Sequence, residues 1–193
     1  MATERKYTMK KLLILAAAAS TMAIAAPAAA QTVANGTVDL TGTVQAKCTA
    51  ADFTDAINLG ELALTDGTVD SAFSGNSNLT RAFSIKCTAG NVRIGVVADP
   101  LEEATDETTG DGYTGTVHYT ATVVADKAGS GTATADYATL TDTLEETADL
   151  GDRLKNAADN IRVTVSNGVT SNTGDLLKAG SYSGQIRISV SPI

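Results

Sequence analysis

The chain has no tryptophan and only three phenylalanines and five tyrosines in 193 residues. That poverty argues against an enzyme with a deep aromatic pocket. It argues equally against an aromatic-lined cleft in which paired carboxylates cleave glycosides. Histidine occurs once, at His118, and cysteine twice, at Cys48 and Cys87. One histidine cannot make the ligand set of a common catalytic zinc site, and no serine or cysteine motif accompanies it as a nucleophile. The composition therefore reads as non-enzymatic, with no metal and no cofactor. Basic residues are also scarce, 14 against 22 acidic, for a net charge of −8. Such a surface repels nucleic acid and anionic lipid. The one long apolar run, from Leu12 to Ala26, is too short and too alanine-rich for a good membrane span.

That run follows Lys10 and Lys11 and leads to Ala28-Ala29-Ala30 before Gln31. A basic start, an apolar middle and a small-residue exit make residues 1–30 a secretory signal peptide. Export to the periplasm, and from there to the cell surface or beyond, is the expectation. The leader takes four basic residues and one acidic residue with it, leaving 10 against 21, a net charge of −11. The remaining residues suit one domain with a real core. Both cysteines lie in this exported part, and two cysteines in an oxidising compartment pair. Closing a loop of some forty residues contributes about 3–4 kcal/mol in the chain-entropy model.

What is abundant is threonine, alanine, glycine, serine and valine. Threonine and valine favour strands, and glycine, asparagine and aspartate punctuate turns. Val38, Leu40, Gly42, Val44 and Ala46 alternate with polar residues, which predicts a strand over 38–46. Residues 56–60 predict a short strand, 65–78 a loop, and 80–87 a strand carrying Phe83, Ile85 and Cys87. Val92, Ile94, Val96 and Val97 predict a strand that Pro100 stops. Asp99, Glu102, Glu103, Asp106, Glu107 and Asp111 fall in a solvated acidic loop whose spacing is not that of an EF-hand. A strand follows over 113–125, with His118 in the outward phase, and then a loop over 126–136. Residues 137–159 fit either a short helix or an ordered loop, since Leu140, Leu144, Leu150 and Leu154 lie near helical spacing but Gly151 interrupts. Residues 160–166 predict a strand ending in an Asn167-Gly168 turn. Residues 180–192 form the last strand, with Tyr182, Gly184, Ile186, Ile188 and Val190 on its dry face. Short strands with turn signals between them point to an all-β antiparallel sandwich.

The two ends carry a resemblance. An alternating N-terminal segment with a glycine precedes Cys48, Ile57-Asn58-Leu59-Gly60 follows it, and Cys87 closes the spacing. Gly180 is fourteenth from the C-terminus and opens an alternating apolar strand. In these features the chain resembles the pilin subunits of the chaperone–usher pathway. It is similar also to the related spore-coat-protein-U-like secreted proteins. Pro192 stands where pilins usually have tyrosine, and residues 99–159 do not match residue by residue. The resemblance implies an immunoglobulin-like sandwich over residues 45–193 that is incomplete, lacking its last strand. It implies an N-terminal extension, residues 31–44, whose Val38, Leu40, Gly42 and Val44 enter a neighbouring subunit. The strand bearing Gly180, Tyr182, Ile186, Ile188 and Val190 would edge the receiving groove. The implied partners are other copies or related pilin subunits, a periplasmic chaperone and an outer-membrane usher, with no nucleic acid. A monomeric secreted β-sandwich binding domain is the alternative.

Overall fold

The computed structural model describes residues 39–50, 56–105 and 111–193. The leader, Val38, Asp106 and Glu107 lie outside the described residues. The chain divides after Thr41 into two units. Of the first, only residues 39–41 are described, and they take no regular structure. The second unit holds the described strands: β1 (Cys48–Ala50), β2 (Thr80–Phe83), β3 (Ile85–Cys87), β4 (Val92–Ala98), β5 (Leu101–Glu103), β6 (Tyr113–Thr114), β7 (Thr116–Asp126), β8 (Thr132–Ala138), β9 (Glu146–Asp149), β10 (Ile161–Val169), β11 (Leu176–Leu177), β12 (Tyr182–Ser183) and β13 (Ile186–Pro192). No helix occurs among the described residues.

The fold is an all-β antiparallel sandwich with one disulfide. One sheet runs β12-β5-β7-β10-β2, with β8 also paired to β7, and the other runs β13-β4-β9. The order β2-β10-β7 facing β4-β13 is the B-E-D against C-F arrangement of an immunoglobulin-like sandwich. β1 pairs antiparallel with β3, where Cys48 sits opposite Cys87 and is bonded to it across a sequence separation of 39.

β7 shows why the layers form. Along Thr116–Asp126 every second side chain is buried, with Val117, Ala121, Val123 and Ala125 fully covered. The outward row is threonine-rich and half-exposed, so one pleated face drives the packing and the other stays wet. The inward residues of β4, β7, β8 and β10 join Phe73, Leu150 and Leu154 in a single core.

Several expected elements differ from those observed. The predicted strand over 80–87 is broken at Ser84. There the buried Asn160 accepts from the Ile85 amide at 2.9 Å and donates to the Ile85 carbonyl at 2.7 Å, so a side chain replaces the ladder. Asn167-Gly168 is no turn. It is a bulge inside β10, where the register shifts and Asn167 takes φ 56°. The buried ring of Phe73 lies so close that a Cβ at Gly168 would come within 2.7 Å of it. Leu101–Glu103 is a strand rather than acidic loop, because it pairs with β7 on one side and β12 on the other. The ambiguous stretch contains a strand, β9, and the loop before β8 is shorter than predicted. Residues 56–60 form no strand: Asn58 caps the Gly60 amide at 2.9 Å and Gly60 turns at φ 75°. The last predicted strand is two, β12 and β13, hinged at Gly184 and Gln185.

Candidate functional site

That hinge positions the site. β4 and β13 belong to one sheet, while their continuations β5 and β12 belong to the other. The two paired segments therefore cross between sheets side by side, at Asp99-Pro100 and at Gly184-Gln185. A Cβ at Gly184 would lie 2.8 Å from the Pro100 carbonyl oxygen, so only glycine lets the arms cross this closely. Tyr119 donates from its hydroxyl to the Asp99 carbonyl at 2.8 Å and pins the corner from below. Burial, reinforced by the charge of Asp99, pushes the Tyr119 phenol well above its ordinary range. Tyr182 donates to the Lys178 carbonyl at 2.9 Å, and its phenol is raised by burial and then by Glu103.

Beyond the corner the sandwich opens. Among the described residues β13 pairs with β4 on one side only, and β2 pairs with β10 on one side only. These two edges face each other across a groove of about 440 Å³. Ile57, Leu59 and Phe83 form one wall and Ile186 and Ile188 the other, with Tyr119, Val163 and Val165 on the floor. Ile186, Ile188 and Val190 alternate with exposed residues along β13 and pack against the core, yet they remain only half-buried. In the immunoglobulin-like order this is the position of strand G, beside F. The groove continues past Gly184 into a wetter section of about 710 Å³, lined by Asn58, Glu61, Lys178, Ser181, Tyr182 and Ser183.

Comparison with protein-family models, with curated proteins and with solved structures finds no match. The site has to be read from its own geometry.

The residues singled out in the sequence fall into three places. Cys48 and Cys87 are joined. Tyr182, Ile186 and Ile188 line the groove or its continuation, as does Gly180, while Val190 packs partly buried against the core further along β13. A Cβ at Gly180 would lie 2.6 Å from Cγ of Glu103. Leu40, Gly42 and Val44 belong to no described strand. The predicted strand over 38–46 is absent over 39–47, and β1 begins only at Cys48. Leu40 is 92% and Val44 83% exposed, and nothing lies within 4 Å of a Cβ at Gly42. The chain becomes anchored at Gln45, whose carbonyl accepts from Thr88 Oγ1 at 2.8 Å, and at Lys47, whose amide donates to the same hydroxyl at 3.0 Å.

The sequence reading put Ile57 and Leu59 in a short strand that does not form and did not assign them to the groove wall. It missed Arg81, the one charged residue among the described residues lining the 440 Å³ groove, because nothing in the linear pattern sets it apart. His118 lies elsewhere, half-buried, with Nε2 3.0 Å from Ser171 Oγ.

Proposed function

We propose that this chain is a non-enzymatic structural subunit of a bacterial surface fibre, exported and then assembled by strand addition between subunits. The observation that carries this reading is the pairing of two unmet needs. An apolar groove lies between two one-sided sheet edges, and an alternating segment exposes Leu40 and Val44 to water. Each is a liability alone, since an open edge is a template for aggregation. Each is the complement of the other, because a strand in the groove would pair with β13 and place alternate side chains on the core. Full burial of Val38, Leu40 and Val44 would contribute about 5–9 kcal/mol before ordering costs.

On this reading residues 31–44 are the donor and residues 45–193 the receiving sandwich. A periplasmic chaperone covers the groove until an outer-membrane usher hands the subunit to its neighbour. The contact is heterologous and does not close on itself, so repetition builds a filament that can support adhesion or biofilm. Deleting residues 31–44 tests it. Electron microscopy of expressing cells should show no fibres, while the shortened subunit still accumulates in the periplasm with its chaperone. Normal fibres from the shortened chain overturn the reading.

A second reading has one observation in its favour. The wetter section of the groove, with Glu61, Lys178 and two serines, has the mixed polar lining of a small-ligand site. A monomeric binding domain would leave the purified chain monomeric at high concentration and its stability unchanged by a peptide spanning residues 31–44.

A further inference from the structure

The backbone of β13 bonds to β4 through alternate residues. The Gln185 carbonyl accepts from the Asp99 amide at 2.8 Å, and the Ile193 amide donates to the Asn91 carbonyl at 3.3 Å. Between these two bonds the antiparallel register runs without a shift. Hydrogen bonds in such a ladder fall on every second residue, so Arg187, Ser189 and Ser191 also turn their backbone groups to β4. Ile186, Ile188, Val190 and Pro192 turn theirs the other way, and no strand lies on that side among the described residues. On β12 the Ser181 carbonyl accepts from the Ala104 amide at 3.2 Å, so Tyr182 faces away from β5 in the same manner.

Three of these outward residues of β13, Ile186, Ile188 and Val190, each have an N–H to offer. The fourth, Pro192, has none. At position 191 or 193 a proline would remove a bond to β4. At 192 it removes nothing from the domain's own ladder, and its effect falls on a strand added from outside. The outward row of β8 is protected differently. There the Lys127 amide donates to the Gly131 carbonyl at 3.1 Å and the Thr139 amide to the Tyr119 carbonyl at 2.9 Å, so Thr132, Thr134, Asp136 and Ala138 face away from β7. The Ala138 amide is taken by Asp142 Oδ2 at 2.7 Å, and the rest of that row is exposed threonine and aspartate. A polar, charged and capped edge discourages strand addition. The row on β13 is apolar as far as its proline.

We infer that Pro192 is a ladder stop. It lets the extension of a second copy, residues 31–44, pair along β13 as far as Val190 and no further, and so fixes the register of the joint. This rests on the fibre reading above, and the test separates the two. A slip of one residue turns Leu40 and Val44 out of the groove. A slip of two toward the C-terminus of β13 keeps the faces right, and there it meets a residue without an amide.

The full-length exported chain tests the stop. Ser189→Cys is combined in turn with Asp39→Cys, Thr41→Cys and Thr43→Cys, which share the outward phase of the extension. Surface polymer is oxidised, and cross-linked subunits are resolved on a non-reducing gel. With Pro192 in place one donor position should dominate. In Pro192→Thr a second position, two residues away, should gain about fivefold, the weight of one ladder bond. Pro192→Ala should act alike, since it restores the amide without a branched side chain. Both variants should keep the urea midpoint of the original, because Pro192 is exposed and no bond to β4 changes. A lowered midpoint assigns Pro192 to the fold and overturns the stop. One dominant position in all three chains, or several already in the original, overturns the stop and leaves the fibre. A folded Pro192 variant without polymer overturns it too, since a freer register costs alignment and not growth. Polymer that cross-links at none of the three positions carries its added strand elsewhere and removes both the stop and the β13 groove. Absence of polymer from the unsubstituted chain removes the fibre reading itself.

Discussion

β10 and β13 are written in the same alternating style but have different fates. In β10, Ile161, Val163 and Val165 are buried between two neighbours, β7 and β2. In β13, Ile186, Ile188 and Val190 are only half-buried, with β4 on one side and the groove on the other. Alternation fixes which face of a strand is dry. How dry it becomes depends on whether a further strand lies beside it and a facing sheet above. The contrast locates the open edge among the described residues better than any single residue does.

The contrast can be broken by truncation. Ile161→Ala, in the covered region, should destabilise the domain by about 3–4 kcal/mol, measured as the shift in urea midpoint, because the side chain is fully enclosed and its loss leaves a cavity. Asn160→Ala should cost about 2–3 kcal/mol. It strands the buried amide and carbonyl of Ile85, which no strand partner can then satisfy. Ile188→Ala, on the open edge, should cost the isolated domain only about 1 kcal/mol, since that side chain already sees water. On the fibre reading proposed above, the same substitution should cost more in assembled polymer, seen as a higher sensitivity to denaturant. Equal losses at Ile161 and Ile188 in the isolated domain would erase the distinction between covered and open regions.

The smallest expected effect is on pH dependence. The Asp126 carboxyl is held below its ordinary range by its bond to Arg162, Asp149 by Arg93, and Asp70 by the Ser74 hydroxyl. Each is depressed in the folded state, so its stabilisation is complete above the unfolded carboxylate value of about 3.9 and is lost as pH falls through the lower folded values. Urea midpoints should therefore hold steady from neutral pH to about 5 and decline in stronger acid. Asp126→Asn should flatten part of that decline. An unchanged acid limb in this variant would assign the loss to other carboxylates.

Much of the sandwich was legible because threonine- and valine-rich alternation is a local signal. β4, β7, β10 and β13 all lie where their periodicity placed them. The misreadings have a common cause. Ser84, Asn167-Gly168, Leu101–Glu103 and Gly184 all sit where a distant group intervenes. Those groups are the Asn160 amide, the Phe73 ring, the flanking strands β7 and β12, and the Asp99-Pro100 carbonyls. A window of ten residues contains none of them. Residues 39–47 have strand alternation but no strand, because alternation specifies a dry face only where a partner supplies one.

By itself the sequence determined the all-β class, the pairing of Cys48 with Cys87, and which residues of each strand seek the core. These depend on side-chain chemistry and on a period of two, both carried by neighbours in the chain. Only the tertiary structure decided that β13 and β2 face each other across a groove, and that Arg81 stands at its rim. Those facts depend on strand order and on backbone crossings between residues some eighty to a hundred positions apart, and no local pattern encodes such distances.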